Sequence, residues 1–266
     1  MKRLNLFAKG NLDVRDSLHS LRLGGEVRWN GINSLARERG LDATIRVRHE
    51  VSIGSEALAQ ADGTIPQAFA GRDLPLGAYT LEAQFGQAVY TAGADAYVLS
   101  IQPDIQMTPA RHRRDGFLFQ AQGRNDWQQA DLDWLRADFE PAGLSEPEPA
   151  LAAFEAVIER LRGAGAAPIL VYNMSSVVPG ETIHCHAGWE DLLSTRIRTF
   201  NLGLVELSQR TGISIIDVDR IVAEHGQRAM KLDTTHLTEQ GCRAVAEEVL
   251  RVLGDYGCLS AAEHGQ

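Results

Sequence analysis

The chain has little lysine, few cysteines and few aromatic residues. Lysine occurs three times, so arginine supplies nearly all of the 26 basic residues. With 35 acidic residues the formal net charge is −9, which argues against a nucleic-acid backbone or an anionic membrane as the main partner. The cysteines Cys185, Cys242 and Cys258 have no CxxC spacing, so their pattern predicts neither a disulfide framework nor a zinc knuckle.

Long apolar runs are also missing. No run approaches the ~18 residues of a transmembrane helix, and the N-terminus reaches Lys9 before a signal-peptide core is complete. We therefore expect a cytoplasmic protein with a small-molecule substrate and without a nucleic-acid or membrane partner. The length of 266 residues and the hydrophobic content of 44% favour one α/β domain, residues 1–257, followed by a tail, residues 258–266.

Short β-rich runs alternate with segments of helical periodicity. This alternation predicts a parallel sheet covered by helices on both faces. The predicted strands are Leu4–Ala8, Thr44–Val51, Ala96–Ile101, Pro168–Tyr172 and Ile213–Val218. Apolar stripes predict helices around residues 151–161 and 193–207, and Thr238 is the expected N-cap of a last helix that buries Cys242.

One segment, at about residues 111–149, is too long for an ordinary connection between two elements. It mixes aromatic and charged residues, which indicates an ordered excursion such as a hairpin and a short helix. The excursion would either cover a site or form a surface flap anchored by Trp127 and Trp134.

The pair Asp233 and His236 precedes the last predicted helix in the sequence LDTTHLTEQG. A carboxylate three residues before a histidine can accept the imidazole Nδ1 hydrogen and leave Nε2 free to act as a base. Together with the α/β pattern, this DxxH sequence resembles the last block of the SGNH, or GDSL-type, hydrolase superfamily.

The resemblance implies a three-layer, flavodoxin-like sheet with the catalytic groups at the carboxyl ends of the strands. Asp233 and His236 match the catalytic pair of the family. Val51-Ser52-Ile53-Gly54-Ser55 follows the second predicted strand, as the glycine block of the family does. The N–H of Gly54 is therefore expected to help form an oxyanion hole, or Gly54 is a simple turn glycine.

The nucleophile block departs from the family. Gly10-Asn11-Leu12 stands where Gly-Asp-Ser is expected, and leucine cannot be a nucleophile. An Asp-Ser-Leu sequence follows at Asp16-Ser17-Leu18. Either a longer turn presents Ser17 as the nucleophile, or Ser17 is a helix residue and the usual nucleophile is missing.

The asparagine block also departs. Gln102 follows the third strand where the family has Gly-x-Asn-Asp, and its amide could be a substitute donor. A literal Gly-Arg-Asn-Asp lies in the excursion, so Asn125 would either fold back over the site or belong to a polar turn. His19, two residues after Ser17, is a candidate substrate contact.

These residues predict a serine esterase or acyltransferase acting on a small polar metabolite that could be anionic or carrier-bound. Ser17 would attack the acyl carbon, His236 would take its proton, Asp233 would orient the imidazole, and the oxyanion donors would lie at Gly10, Asn11, Gly54 or Gln102. Two alternatives stay open: a metabolite-binding protein, and a lyase or transferase with His236 as a base and no covalent intermediate.

We expect no cofactor and no metal site. Neighbouring residues of the extended sequence His184-Cys185-His186 would point to opposite sides, and no further ligand follows at zinc spacing.

Overall fold

The computed structural model of the protein describes residues 2–23, 26–181 and 192–259. The His184-Cys185-His186 sequence lies outside the described residues, as does the tail from residue 260 onward. Cys258 and Leu259 are described, and Leu259 is buried against the core, so the packed chain extends past the expected boundary at residue 257.

Ten strands occur in the described residues. They are β1 (Lys2–Lys9), β2 (Leu21–Leu23), β3 (Glu26–Trp29), β4 (Ala43–Glu50), β5 (Ala96–Ser100), β6 (Ala110–His112), β7 (Leu118–Phe119), β8 (Phe139–Pro141), β9 (Ile169–Tyr172) and β10 (Ser214–Ile216). Five of them form one parallel sheet in the order β4-β1-β5-β9-β10. Numbered among themselves along the chain, these strands have the order 2-1-3-4-5, which is the flavodoxin-like order. All five predicted strands are therefore confirmed.

Twelve α-helices occur in the described residues. They are α1 (Leu12–Leu18), α2 (Ile32–Glu38), α3 (Ser55–Gln60), α4 (Leu81–Phe85), α5 (Ala88–Thr91), α6 (Gln102–Gln106), α7 (Gln129–Asp138), α8 (Pro147–Ala164), α9 (Leu193–Thr211), α10 (Val218–His225), α11 (Gln227–Met230) and α12 (Glu239–Asp255). The predicted apolar stripes are buried on α8 and α9. Thr238 caps α12 as predicted, because its Oγ1 accepts the Gly241 N–H at 3.1 Å. No helix of the described chain is long and apolar enough to cross a membrane.

Helices cover both faces of the sheet, and the alternation of side chains along the strands separates two apolar cores. Leu4, Leu6 and Ala8 of β1 pack with α1, α2, α10 and α12 on one face. Phe7, the neighbour of Leu6, packs with α8 and α9 on the other face. Successive residues of a strand point to opposite faces, so the near-continuous apolar strands require helices on both sides. The predicted three-layer α/β architecture is confirmed.

The excursion contains the antiparallel strands β7-β6-β8 and helix α7, in agreement with the expected hairpin and helix. Trp127 and Trp134 pack in a separate aromatic cluster with Phe69 and Phe85 from the segment between α3 and α5. Arg111 holds the excursion against α3, because its two Nη atoms donate to the Glu56 carboxylate at 2.9 and 3.1 Å. The excursion therefore shares a small apolar core with the segment between α3 and α5.

Candidate active site

The Asp233–His236 pair lies in the loop between α11 and α12. The His236 Nδ1 is 2.7 Å from Asp233 Oδ2, and the N–H groups of Thr235 and His236 each donate to Asp233 Oδ1 at 2.8 Å. Partial burial acts to raise the pKa of Asp233, but the two N–H groups and the imidazole outweigh it and lower the pKa. Asp233 is thus a carboxylate that organises its own loop and binds the imidazole at Nδ1. In the described part of the chain, His236 Nε2 has no hydrogen-bond partner.

Backbone hydrogen bonds close this loop tightly. Leu232 N–H donates to the His236 carbonyl, and Thr238 N–H donates to the Met230 carbonyl, both at 2.9 Å. The hydroxyl of Thr238 also donates to the Ala229 carbonyl. These bonds close the loop on itself and tie Thr238, the N-cap of α12, to α11.

A small cavity of about 20 Å³ lies beside this loop, at the carboxyl ends of β1, β5 and β9. Its polar lining includes Asp13, Gln102, Tyr172, Ser175, Lys231 and Thr235. A space of this size holds about one water molecule. Asp13 and Gln102 follow β1 and β5, the two strands between which the strand order reverses, and this reversal marks the usual ligand position of open α/β sheets.

Asp13 is a cavity residue that the sequence analysis did not single out. Its Oδ2 accepts the Ser100 hydroxyl at 2.5 Å, and its Oδ1 accepts the Asn11 N–H at 3.1 Å. Burial raises the pKa of this carboxyl group despite both bonds. A signal was available in the sequence, because an acidic residue directly follows Leu12, a few residues after the first predicted strand.

Lys231 lines the same cavity and was also missed. Its Nζ donates to the Val177 carbonyl at 2.8 Å. Burial lowers its pKa to about 8, while Asp219 and Asp233 act in the opposite direction. The cavity is therefore lined by two groups whose charged forms are disfavoured by burial. The pKa of the Asp13 carboxyl group is raised, and the pKa of the Lys231 amine is lowered.

Gln102 also lines the cavity, but its amide is already engaged. Gln102 Nε2 donates to Gln106 Oε1 at 2.7 Å, and the Thr235 hydroxyl donates to the same oxygen at 3.2 Å. The Oε1 of Gln102 is buried without a partner in the described residues. One of the two Gln102 N–H hydrogens is therefore used within the protein, and the second has no partner in the described residues.

Gly54 directly precedes α3 with a φ of +124°, a conformation that side-chain-bearing residues rarely adopt. A Cβ at this position would stand 3.2 Å from Asp104 Oδ1, so α6 approaches the glycine closely. The Gly54 N–H donates to Ser52 Oγ at 3.3 Å. Gly54 is thus required by backbone geometry, whatever its role toward a substrate.

Gly10 and Asn11 follow β1 and contact residues at or beyond the carboxyl ends of β4 and β5. Asn11 Oδ1 accepts the Ser52 N–H at 3.3 Å, and its Nδ2 donates to Met107 Sδ at 3.3 Å. Gly10 is packed so tightly that an added Cβ would stand 2.9 Å from the Ser100 Cβ. The residues expected at the oxyanion site therefore meet at one sheet edge, although only Gln102 among Gly10, Gly54, Gln102 and His236 lines the small cavity.

Ser17 is not accessible for reaction at this edge of the sheet. It belongs to the second turn of α1, and its side chain is fully buried. Its hydroxyl lies 2.8 Å from the Asp13 carbonyl and 3.0 Å from the Tyr172 hydroxyl. The expectation of Ser17 as nucleophile does not fit this burial, because α1 begins directly after Asn11 and no longer turn exists. The alternative, a noncatalytic helix residue, does fit.

His19 and Asn125 lie outside the cavity lining. His19 is exposed at the end of α1, and its ring stands edge-on to His49 with the ring centroids 6.2 Å apart. Asn125 is exposed in the short 3₁₀ turn Arg124–Asp126 of the excursion. The turn interpretation therefore suits Asn125 better than a role in the asparagine block, since its turn is exposed and lies in the excursion, directly before Trp127.

Metal ligands do not cluster in the described part of the chain: residues 2–23, 26–181 and 192–259 contain no group of three His, Cys, Asp or Glu side chains arranged to hold a metal ion. Cys242 lies in the apolar core, as predicted, and burial raises the pKa of its thiol to about 12.

Comparison with known proteins identifies the fold. No family model and no curated protein matches the sequence. Among solved structures, an alpha/beta hydrolase from the metagenome of Lake Arreo has 13% sequence identity and a TM-score of 0.52, with 94% of this chain and 95% of that chain covered. A catalytic mutant of an acetylxylan esterase from Geobacillus stearothermophilus has 11% identity and a TM-score of 0.54, with 96% of each chain covered.

A third similar structure is a member of the lipolytic G-D-S-L family from Veillonella parvula. It has 13% identity and a TM-score of 0.50, with 96% of this chain and 99% of that chain covered. The likeness extends over nearly the whole chain in all three comparisons, and the strand order is the flavodoxin-like order that the family uses. This chain therefore has the fold of the SGNH, or GDSL-type, hydrolases.

Proposed function

We propose that this protein cleaves or transfers an acyl group of a small polar ester, with His236 as the general base and without an acyl-serine intermediate. The observation that carries the proposal is the 2.7 Å contact of His236 Nδ1 with Asp233 Oδ2, at the edge of an esterase-type fold. A carboxylate that accepts the Nδ1 hydrogen leaves the Nε2 lone pair available for a proton.

The proposed reaction needs one nucleophile from solution. His236 Nε2 removes a proton from water or from an acceptor hydroxyl as that oxygen attacks the acyl carbon. The negative charge on the former carbonyl oxygen is stabilised by N–H donors. The candidates are the second Gln102 hydrogen and the Gly54 N–H, which would exchange its 3.3 Å bond to Ser52 Oγ for the oxyanion. When the tetrahedral species collapses, the leaving alkoxide takes the proton back from His236, and Asp233 stabilises the imidazolium in between.

Ser17 is not part of the proposal. Its hydroxyl is fully buried and bonded inside the protein, and an activated serine must lie within hydrogen-bond reach of its base. Leu12 occupies the position where the family carries its serine. A direct attack by water or an acceptor hydroxyl requires no nucleophilic side chain at Leu12 or Ser17.

A small acyl group on a polar acceptor is the first substrate class to test. The cavity beside the His236 loop has a volume of only about 20 Å³, so it does not suit a long acyl chain. One structure with a similar fold is an acetylxylan esterase, which acts on acetyl esters of a polar polymer. Acetylated sugars, acetylated nucleosides and aryl acetates therefore form a reasonable first panel, with anionic and carrier-bound esters next.

The test compares acetate release by the wild type, His236→Ala and Asp233→Asn. We expect His236→Ala to lower kcat by at least about 10²-fold, the usual contribution of a general base. His225→Ala is the matched control, because His225 is an exposed histidine on α10. Equal activity of the wild type and His236→Ala would contradict the proposal.

A fluorophosphonate probe tests the missing covalent intermediate separately. We expect no labelled serine in the wild type, because no activated hydroxyl takes part. Labelling that is lost in His236→Ala would show that a serine is activated by the pair, and it would replace the direct attack by a covalent mechanism.

A second candidate function is binding of a polar metabolite without turnover. Leu12 at the family serine position favours it, because the most direct source of a nucleophile is absent there. In that case titration calorimetry with the same ester panel detects binding, no acetate is released, and His236→Ala changes only the affinity.

A further inference from the structure

In the described part of the chain, a side-chain hydrogen bond ties the His236 loop to α6 through one acceptor atom, the Oε1 of Gln106. Gln102 Nε2 donates to it at 2.7 Å from the beginning of α6, and the Thr235 hydroxyl donates to it at 3.2 Å from the loop. An amide oxygen has two lone pairs, so these two donors use its full accepting capacity. Gln106 thereby joins a cavity-lining residue to the residue beside His236.

The link on the loop side reaches the Asp233–His236 pair directly. Thr235 N–H donates to Asp233 Oδ1, the same oxygen that accepts the His236 N–H. Thr235 is thus held from two sides, by Asp233 through its backbone and by Gln106 through its hydroxyl. Loss of the Gln106 contact releases the loop from α6 while the Asp233–His236 contact itself stays possible.

The link on the other side orients the Gln102 amide. Within the described residues, the bond to Gln106 is the side-chain hydrogen bond of Gln102, and its Oε1 has no partner. Because the amide group is planar, fixing one N–H also fixes the direction of the other. That second hydrogen belongs to a residue that lines the cavity with Asp13.

We propose that Gln106 is a positioning residue, which fixes the Gln102 amide and the His236 loop relative to each other for the reaction. The inference rests on the proposed function, since it assigns the two ends of the link to an oxyanion donor and a general base. Gln106 itself does not touch the reacting atoms in this scheme.

Two substitutions of Gln106 test the role by kinetics. Gln106→Leu removes the acceptor, and we expect kcat to fall about tenfold while KM changes by less than twofold. Gln106→Glu keeps an oxygen that accepts both donors, and we expect it to retain kcat within about threefold. Gln129→Leu is the matched control, because Gln129 also pairs with the residue four positions later, Asp133, but on the exposed surface of α7.

A purely structural role predicts a different pattern. It would lower Tm in Gln106→Leu and leave kcat per folded molecule unchanged, which would overturn the inference. Thr235→Val removes one arm of the link with little change of shape, so it provides the same test if Gln106→Leu does not fold. We expect its kcat to fall in the same direction as in Gln106→Leu.

A substrate-free measurement separates this inference from the proposed function. In ¹H–¹⁵N spectra of the full chain, we expect one Gln102 side-chain hydrogen to exchange slowly with solvent in the wild type and in Gln106→Glu, and rapidly in Gln106→Leu. Unchanged exchange in Gln106→Leu would overturn the link. If the exchange changes as expected but no ester is turned over, the link stands and the proposed function fails.

Discussion

Asp104→Asn should remove a pH-dependent loss of stability that the wild type carries. Asp104 is 2% exposed on α6, and its Oδ1 accepts both the N–H and the hydroxyl of Ser55, at 2.8 and 2.7 Å. Its Oδ2 is buried without a partner in the described residues. Burial raises the pKa of this carboxyl group from 3.8 to about 6, although the Ser55 bonds and Arg196 act against the increase.

The neutral form of Asp104 also suits its surroundings. The Ser55 hydroxyl lies 2.7 Å from Asp104 Oδ1 and 2.8 Å from the Ala150 carbonyl, but it has one hydrogen to donate. A protonated Asp104 can donate to Ser55 Oγ, and Ser55 can then donate to Ala150. An ionised Asp104 needs the Ser55 hydrogen itself, which leaves the Ala150 carbonyl without that donor.

The sign of the effect follows from the raised pKa. Between pH 4 and 6 the folded protein keeps the Asp104 proton while the unfolded chain loses it, so stability falls as the pH rises. A difference of about two pKa units corresponds to about 3 kcal/mol, at about 1.4 kcal/mol per unit. Asparagine cannot ionise, so this loss should be absent in Asp104→Asn.

Urea unfolding at several pH values between 4 and 7 measures the effect. We expect the stability of Asp104→Asn relative to the wild type to increase by about 3 kcal/mol from pH 4 to pH 7. Asp73→Asn is the control, because Asp73 is exposed in a loop and its replacement should leave the pH dependence unchanged. A relative stability that is the same at both pH values would refute the reasoning about Asp104.

Two further predictions concern Ser17 and Gly54. Ser17→Ala should lower stability by about 1–2 kcal/mol, because the Tyr172 hydroxyl loses a buried partner. The same substitution should leave kcat unchanged. If unfolding and rate measurements show lost activity at unchanged stability, Ser17 is the nucleophile after all. Gly54→Ala should lower stability by about 1–3 kcal/mol through the positive φ alone, and by more through the contact with Asp104 Oδ1. Thermal unfolding measures this loss of stability. An unchanged Tm would show that the glycine conformation is not required.

The sequence by itself predicted the sheet, the principal helices and the Asp233–His236 pair. These features depend on local patterns: alternating apolar and β-branched runs for β1, β4, β5, β9 and β10, 3.6-residue periodicity for α8 and α9, and a cap at Thr238. The short spacing of Asp233 and His236 allows one tight loop to bring them together, so no distant part of the chain had to be known.

Only the tertiary structure decided which residues share the cavity and which do not. Ser17 lies in an Asp-Ser-Leu sequence that resembles the family motif. However, α1 begins at Leu12, and the Ser17 side chain is buried in the interior. Asn125 also lies in a sequence that resembles a family motif, but its turn is exposed on the excursion and does not line the cavity. Asp13, Gln106 and Lys231 meet at one sheet edge although long stretches of chain separate them. The carboxyl ends of parallel strands bring such residues together, and no local pattern in the sequence records which side chains will face one another there.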